Sequence, residues 1–519
     1  MSTTLLHGAA VVGTDKQGVS ALLVDGSRVI WTGDEAGARE RRSEADLAVH
    51  LGGALLTPGF VDAHVHLSAT GAQLRSADLT GTPDRQEALR RIARLAARRP
   101  GHPLAAPGWD ETTWPDRRPL SSAELDRAGG GALVYAARVD CHSAVVSSSL
   151  AQACGAEQLP GWLGEGRVER QAHDAARERF AAAVGPHERR DDIEAALRRA
   201  AALGIVQVHE CASPVLSSTD DLNEALELGA RPDLPEVVGY WGQLVADQEE
   251  ARAVARRHGV RGLAGDLNVD GSLGSRTARL RADYADLPGH RGHAYLDAAQ
   301  VRDHVVACTL ADVQAGFHVI GDAGADVVLA GLEEAAAIVA LPALRESRHR
   351  VEHIEMVDPA GVAALARLGV VASVQPAFDA LWGGGHGLYA ERLGAARAAA
   401  LNPLAALDDA GVRWASGSDS PVTPLDPWGA VAAAVHHRTP GSGVSRDAAL
   451  RSHTVAGYQA AGIDDRGWLR AGGEASLVVW DHEVAWGTEV LAGTTARLTM
   501  RDGVVLHDPT GMLDAVRAG

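Results

Sequence analysis

Hydrophobic positions fall into two regimes along this chain. From Leu5 to Leu56, short apolar runs such as Ala21–Val24 and Val29–Trp31 are punctuated by Gly and Asp. Runs of that length between turn residues predict strands. The end of the chain reads alike, with apolar runs at Ala475–Trp480 and Ala496–Met500 and a hairpin signal at Asp502-Gly503. Two strand-rich ends around one long middle predict a composite β-sandwich domain built from residues 1–56 and 467–519. The middle, residues 57–466, alternates short β-like runs with Ala- and Arg-rich stretches. Gln86–Arg99, Asp191–Leu203 and Ala325–Val339 have helical composition and spacing.

Strand–helix alternation predicts a parallel sheet covered by helices, and at this length a closed α/β barrel of the (β/α)8 or TIM type. The eight strands are expected at Gly59–His66, Ile205–Cys211, Glu236–Trp241, Asp266–Asp270, Gly316–Gly321, Arg350–His353, Val370–Gln375 and Val412–Asp419. The stretch between the first two is too long for a connection. An insert of about residues 67–187 is therefore expected to form a lid or subdomain near the site.

Composition narrows the class. A chain of 519 residues, 46% hydrophobic and 22% charged, accommodates a barrel with an accessory domain and a large core. Its formal net charge of -18 repels phosphate backbones and anionic lipid, which disfavours nucleic acid and membrane as partners and leaves a small-molecule substrate. Cys141, Cys154, Cys211 and Cys308 form no paired motif, so reduced thiols and a cytoplasmic location are expected. Met1 to Gly13 lacks a signal-peptide pattern, and no apolar run is long enough to span a bilayer. The helical exterior is compatible with a homodimer.

The chemistry concentrates at predicted strand ends. In Val61-Asp62-Ala63-His64-Val65-His66, alternation puts His64 and His66 on one face, a half-site for a divalent cation. His318 and His353 fall on later strands; either alone is more commonly a hydrogen-bonded core histidine, and their order after the first pair changes that. Asp419 ends the last strand, where barrel enzymes carry catalytic groups, although an Asp there can also cap a helix. Together the five form a constellation that accident rarely produces.

The run Thr57-Pro58-Gly59-Phe60-Val61-Asp62-Ala63-His64-Val65-His66 resembles the first-strand signature of the amidohydrolase superfamily. Asp270-Gly271-Ser272-Leu273-Gly274-Ser275-Arg276-Thr277-Ala278, His318-Val319-Ile320-Gly321-Asp322, Val351-Glu352-His353, Val374-Gln375-Pro376 and Gly417-Ser418-Asp419-Ser420-Pro421 resemble one branch of it. That branch includes N-substituted formamide deformylase. The resemblance covers nearly the whole chain. It implies that His64, His66, His318 and His353 ligate one or two divalent metal ions, most plausibly Zn2+. It also implies that Asp419 is both ligand and general acid/base in hydrolysis of a C–N bond other than a peptide bond.

One departure is chemical. Many relatives bridge two metals with a carboxylated lysine four residues before the Asp-Gly pair, but that position is Asp266 and the only lysine is Lys16. Asp266, Cys211 and Glu210 are the candidate substitutes, and a single ion on the histidines and Asp419 remains open. With 11 Trp against 4 Phe, an apolar or aromatic substrate is expected, with Trp109, Trp114, His142, Arg276 and Trp382 as candidate contacts. Packing is the ordinary role for the tryptophans, and Arg276 could instead brace Asp270. The alternatives to a C–N hydrolase are a non-catalytic metal-binding sensor or scaffold, and a lyase or isomerase on the same barrel.

Overall fold

The computed structural model describes residues 3–138, 143–214, 217–480, 494 and 496–515. Eight parallel strands form one sheet: β1 (Phe60–Val65), β2 (Ile205–Ala212), β3 (Glu236–Trp241), β4 (Gly262–Leu263), β5 (Gln314–Val319), β6 (Arg350–His353), β7 (Val371–Val374) and β8 (Arg413–Ser416). Neighbours in the sheet are neighbours in the chain, as a barrel wound from strand–helix units requires. The two ends meet just past β8. Asp419 donates its N–H to His64 O (2.8 Å), and His66 donates to Ser420 O (2.9 Å). Those bonds nearly close the barrel, and they join the segments that bear His64, His66 and Asp419.

Seven predicted strands coincide with observed ones to within a few residues. The fourth does not. The sheet uses Gly262–Leu263 there, and the chain then breaks at Gly265, which has φ +80°. A Cβ at Gly265 would lie 2.9 Å from Cys211 Cβ, so close approach to β2 demands glycine. The expected strand Asp266–Asp270 is an irregular continuation. It pairs with β5 through His318, which donates to Leu267 O (3.0 Å) and accepts from Val269 N (2.9 Å).

The chain ends form two mixed sheets. Arg28–Gly33, Ala21–Asp25, Thr3–His7 and Leu47–His50 make one; Ala10–Val11, Leu55–Pro58, Leu477–Trp480, Ala496–Arg501 and Val504–His507 make the other. Leu6, Leu22, Val24, Leu56, Leu477, Val479 and Leu498 share one buried core, so strands from both ends of the chain are needed to fill it. Asp502 and Gly503 both have positive φ, at 50° and 78°, as the predicted hairpin turn requires.

Residues 67–196 form a separate compact unit. It has its own four-stranded sheet, ordered Arg167–Glu169, Ser143–Val146, Val134–Ala137, Leu104–Ala105, and its own apolar core. Among the described residues, no single helix is long and apolar enough to cross a membrane.

Two buried histidines tie helices to the barrel wall. His304 donates through Nε2 to Leu263 O (3.0 Å) and accepts Val245 N–H at Nδ1 (3.2 Å). His349 accepts Ala315 N–H at Nδ1 (2.9 Å) and donates through Nε2 to Thr309 Oγ1 (2.8 Å). Burial pushes their pKa values down to about 4 and about 3. Unfolded histidines bind protons below about 6.5, whereas these resist until lower pH. Their stabilisation is therefore present above pH 6.5 and lost as pH falls towards 4. Urea unfolding at pH 6.5 and 5 should show a loss of roughly 1–2 kcal/mol per histidine, with His349→Gln removing one share.

Candidate metal centre

Three groups of metal-capable donors lie within 4.8 Å of one another among the described residues: His64/His66/Asp266, His64/His353/Asp419 and His64/Cys211/Glu352. All three contain His64. Its imidazole is fully buried, and the two ring nitrogens face different surroundings.

His64 Nδ1 lies 2.9 Å from Glu352 Oε2. Glu352 is held ionised: burial opposes its charge, but Arg350 and the bond from His64 pull its pKa well below the usual range. An ionised carboxylate only accepts, so His64 carries a proton on Nδ1, and the neutral ring that a cation would bind presents its lone pair at Nε2. Without a cation, and against the opposing effect of burial, the neighbouring Asp419 and Glu352 hold the imidazole above its ordinary pKa. That Nε2 is buried with no hydrogen-bond partner. It faces Asp266 Oδ1 (3.5 Å) and Asp419 Oδ1 (3.4 Å). His66 Nε2 joins the same cup, 3.3 Å from Asp266 Oδ2 and 3.1 Å from Asp419 Oδ1. Asp266 Oδ1 is likewise buried and unpartnered. Imidazole nitrogens and carboxylate oxygens converging in this way, two of them buried without a partner, suit a cation, which would satisfy them together.

His353 completes one side. Gln375 Oε1 accepts from its Nδ1 (2.7 Å), which leaves Nε2 free to ligate. Burial, then His318, lowers its pKa to about 4, so it is a neutral donor. His318 stands beside it, ring centroids 4.6 Å apart, with a buried Nδ1 that has no hydrogen-bond partner. His318 enters none of the three donor groups. Burial raises the pKa of Asp419, but His64 and His66, both held above the ordinary imidazole range, bring it down to about 2. It caps no helix, because the following helix Pro427–Val435 is capped by Asp426.

The third group is a different environment. Cys211 is pushed up to about 11 by burial and stays a thiol. Arg350 Nε, 2.5 Å from Glu352 Oε1, already supplies the positive charge there. Cys211 and Glu352 therefore share His64 with the other two groups but have the Arg350 guanidinium beside them. Of the three candidate substitutes for lysine, Asp266 is the one whose oxygens face the histidines. Glu210 is buried on β2 and belongs to none of the donor groups.

The other sequence candidates scatter. Trp109 and Trp114 are 3% and 2% exposed in the core of unit 67–196, their indole N–H groups bonded to Ala136 O and Thr82 O. Arg276 braces Asp286, not Asp270, through Nε (3.1 Å) and Nη2 (2.7 Å). Asp270 instead accepts the N–H groups of Arg279, Ile320 and Gly321. Trp382 is half-buried and packs on Phe378, whose ring stacks on His353. His142 lies outside the described residues.

A family model described as "Amidohydrolase family" matches residues 48–507. The chain belongs to the amidohydrolase family. It is a hydrolase acting on C–N bonds, with a small-molecule substrate. It is 25% identical to the Arabidopsis thaliana protein LONG AFTER FAR-RED 3, over 89% of this chain and 85% of that one. It is 24% identical to N-substituted formamide deformylase of Arthrobacter pascens, over 95% of each chain. Its fold matches that of an uncharacterised metal-dependent hydrolase from Pyrococcus furiosus with a TM-score of 0.75 and 25% identity, over 92% of this chain and 99% of that one.

Sequence reasoning missed the support under this amidohydrolase centre. Arg350, 1% exposed, grips both oxygens of Glu352, donates to Ala63 O (2.7 Å) and Ser373 Oγ (3.0 Å), and lies 4.4 Å from the Tyr240 ring centroid. Alternation alone puts Arg350 and Glu352 on the face opposite His353. His353 has φ +66° and leaves the strand conformation, so all three serve the interior. The available signal was a charged pair two residues apart in the short strand Arg350-Val351-Glu352-His353.

Glu352→Gln should weaken metal binding by about 10–100-fold in chelator competition, because the ligand His64 loses its orienting carboxylate. It should also cost about 3–5 kcal/mol in unfolding, because Arg350 is left buried without its counter-charge.

Proposed function

We propose that this amidohydrolase hydrolyses a small non-peptide amide, of the N-substituted formamide type, with an apolar or aromatic substituent on nitrogen. The observation that carries this reading is the cup formed by His64, His66, His353, Asp266 and Asp419, in which His64 Nε2 and Asp266 Oδ1 are buried without a hydrogen-bond partner. His318 is a further ligand in the proposal. The N-substituted formamide deformylase among its relatives supports the substrate class. Phe378, stacked on His353, and Trp382, tilted against Phe378, supply an aromatic surface for the substituent.

The nitrogen and oxygen donors suit Zn2+ or a similar divalent ion. When bound, the ion supplies Lewis acidity to the substrate carbonyl and acidifies a nearby water. Glu352 holds His64 in the ligating tautomer. Gln375 does the same for His353. Asp419, ionised at neutral pH, accepts the proton of the attacking water and delivers it to the leaving nitrogen. Asp266 stands where relatives of this type carry a carboxylated lysine and contributes its oxygens directly.

The test is release of benzylamine from N-benzylformamide in 18O-water by metal-loaded protein, with the label expected in formate. No amine release across a panel of N-substituted formamides and simple amides would remove the substrate assignment. Asp419→Asn should fold normally and lose about 10²–10⁴-fold in turnover, and full turnover in that variant would exclude the proton-transfer role. Elemental analysis of Asp266→Ala should show less metal per chain than wild type; equal content would place Asp266 outside the ligand set.

A further inference from the structure

A recess is lined in part by Asp62, which lies on the strand that carries His64. It is a cavity of about 220 Å³ between helices Pro376–Trp382 and Pro427–Val435. Apolar-lined cavities of roughly 150 Å³ already admit a benzene-sized guest. Its walls are largely apolar, including Ala380, Pro427 and Ala430, and Leu381, 55% exposed, stands at its mouth.

The polar groups of the recess are not typical of a packing defect. Asp62 and His453, 3% and 2% exposed, line its inner end, and the exposed Asp426 lines its outer end. His453 lies with Nδ1 3.3 Å from Val61 O, and a carbonyl only accepts, so that nitrogen carries the proton. Its Nε2 is then a lone-pair acceptor, and it is buried without a partner. Asp62 uses Oδ1 to accept the N–H groups of His64 (3.2 Å) and Ser418 (2.9 Å). Ser418 and Thr423 also line the recess, Asp426 accepts the Gly429 N–H as cap of its helix (2.9 Å), and the lining holds neither Arg nor Lys. A buried acceptor left unsatisfied costs free energy, which a donor-bearing guest would recover.

We propose that this recess is an accessory binding site for a small alkylammonium ion, separate from the metal centre. The ammonium donates to His453 Nε2 and faces the Asp62 carboxylate, while the alkyl chain lies between Ala380 and Ala430. Two acids with no basic residue favour a cationic donor over an alcohol or a carboxylate. Because Asp62 also holds the backbone at His64 and Ser418, an occupant rests against the segments that carry the metal donors.

The probe is n-butylammonium, titrated calorimetrically into metal-loaded protein, with n-butanol as the neutral isostere. One saturable site is expected, with butanol at least about tenfold weaker. Ala430→Leu and Ala380→Leu fill the recess from opposite helices. Each should abolish that binding while metal content and circular dichroism stay as in wild type. No binding to wild type, equal affinity for butanol, or undiminished binding in both folded variants would each overturn the proposal. Loss of turnover on formamides would not bear on it, which keeps its failure distinct from failure of the catalytic reading.

Discussion

Arg350 and Glu352 sit side by side inside the barrel, both essentially removed from solvent. Burying either charge alone would be prohibitive, so each is tolerated because of the other. The pair then does something neither could do singly. Glu352, kept ionised by the guanidinium, fixes the tautomer and ring orientation of His64. His64 is common to all three donor groups. The geometry of the centre therefore depends on an ion pair formed behind the ring of His64. Arg350 reaches further, to Ala63 O on β1 and Ser373 Oγ on β7, so one side chain aligns strands that the sheet order keeps apart.

The donors also depend on backbone that regular secondary structure does not supply. His353 and Asp419 have φ of 66° and 54°, and the chain enters Asp266 through the left-handed Gly265. Side chains other than glycine adopt such angles at a cost of order 1–3 kcal/mol each, met here by surrounding bonds. The Asp419 N–H bond to His64 O is one of these, and it also helps close the barrel. Closure and donor convergence are thus the same set of contacts.

The tryptophans mostly serve packing. Trp428 and Trp480 pack with Phe60 at ring separations of 5.2 Å each, and Trp480 donates to Thr57 Oγ1 (3.0 Å). These rings join the first barrel strand to the C-terminal strands of the mixed sheets. An aromatic excess in composition records that architecture as much as any substrate.

The sequence by itself was enough for the barrel and its two terminal sheets, and it singled out His64, His66, His353 and Asp419, which the fold brings together. Period-two alternation, strand-end position and local turn chemistry are short-range signals, and each is readable from neighbours in the chain. The pairing of Glu352 with His64, the role of Arg350 and the facing of Asp266 were decided by tertiary structure. Glu352 and His64 are 288 positions apart, and the turn at His353 reverses what alternation predicts. The fourth strand failed for a related reason: Gly265 breaks it to clear Cys211, a residue on another strand. Likewise Arg276 found Asp286, and Trp109 and Trp114 went to the core of their own unit. Local pattern specifies which face a side chain occupies; only the folded chain sets which distant group it meets there.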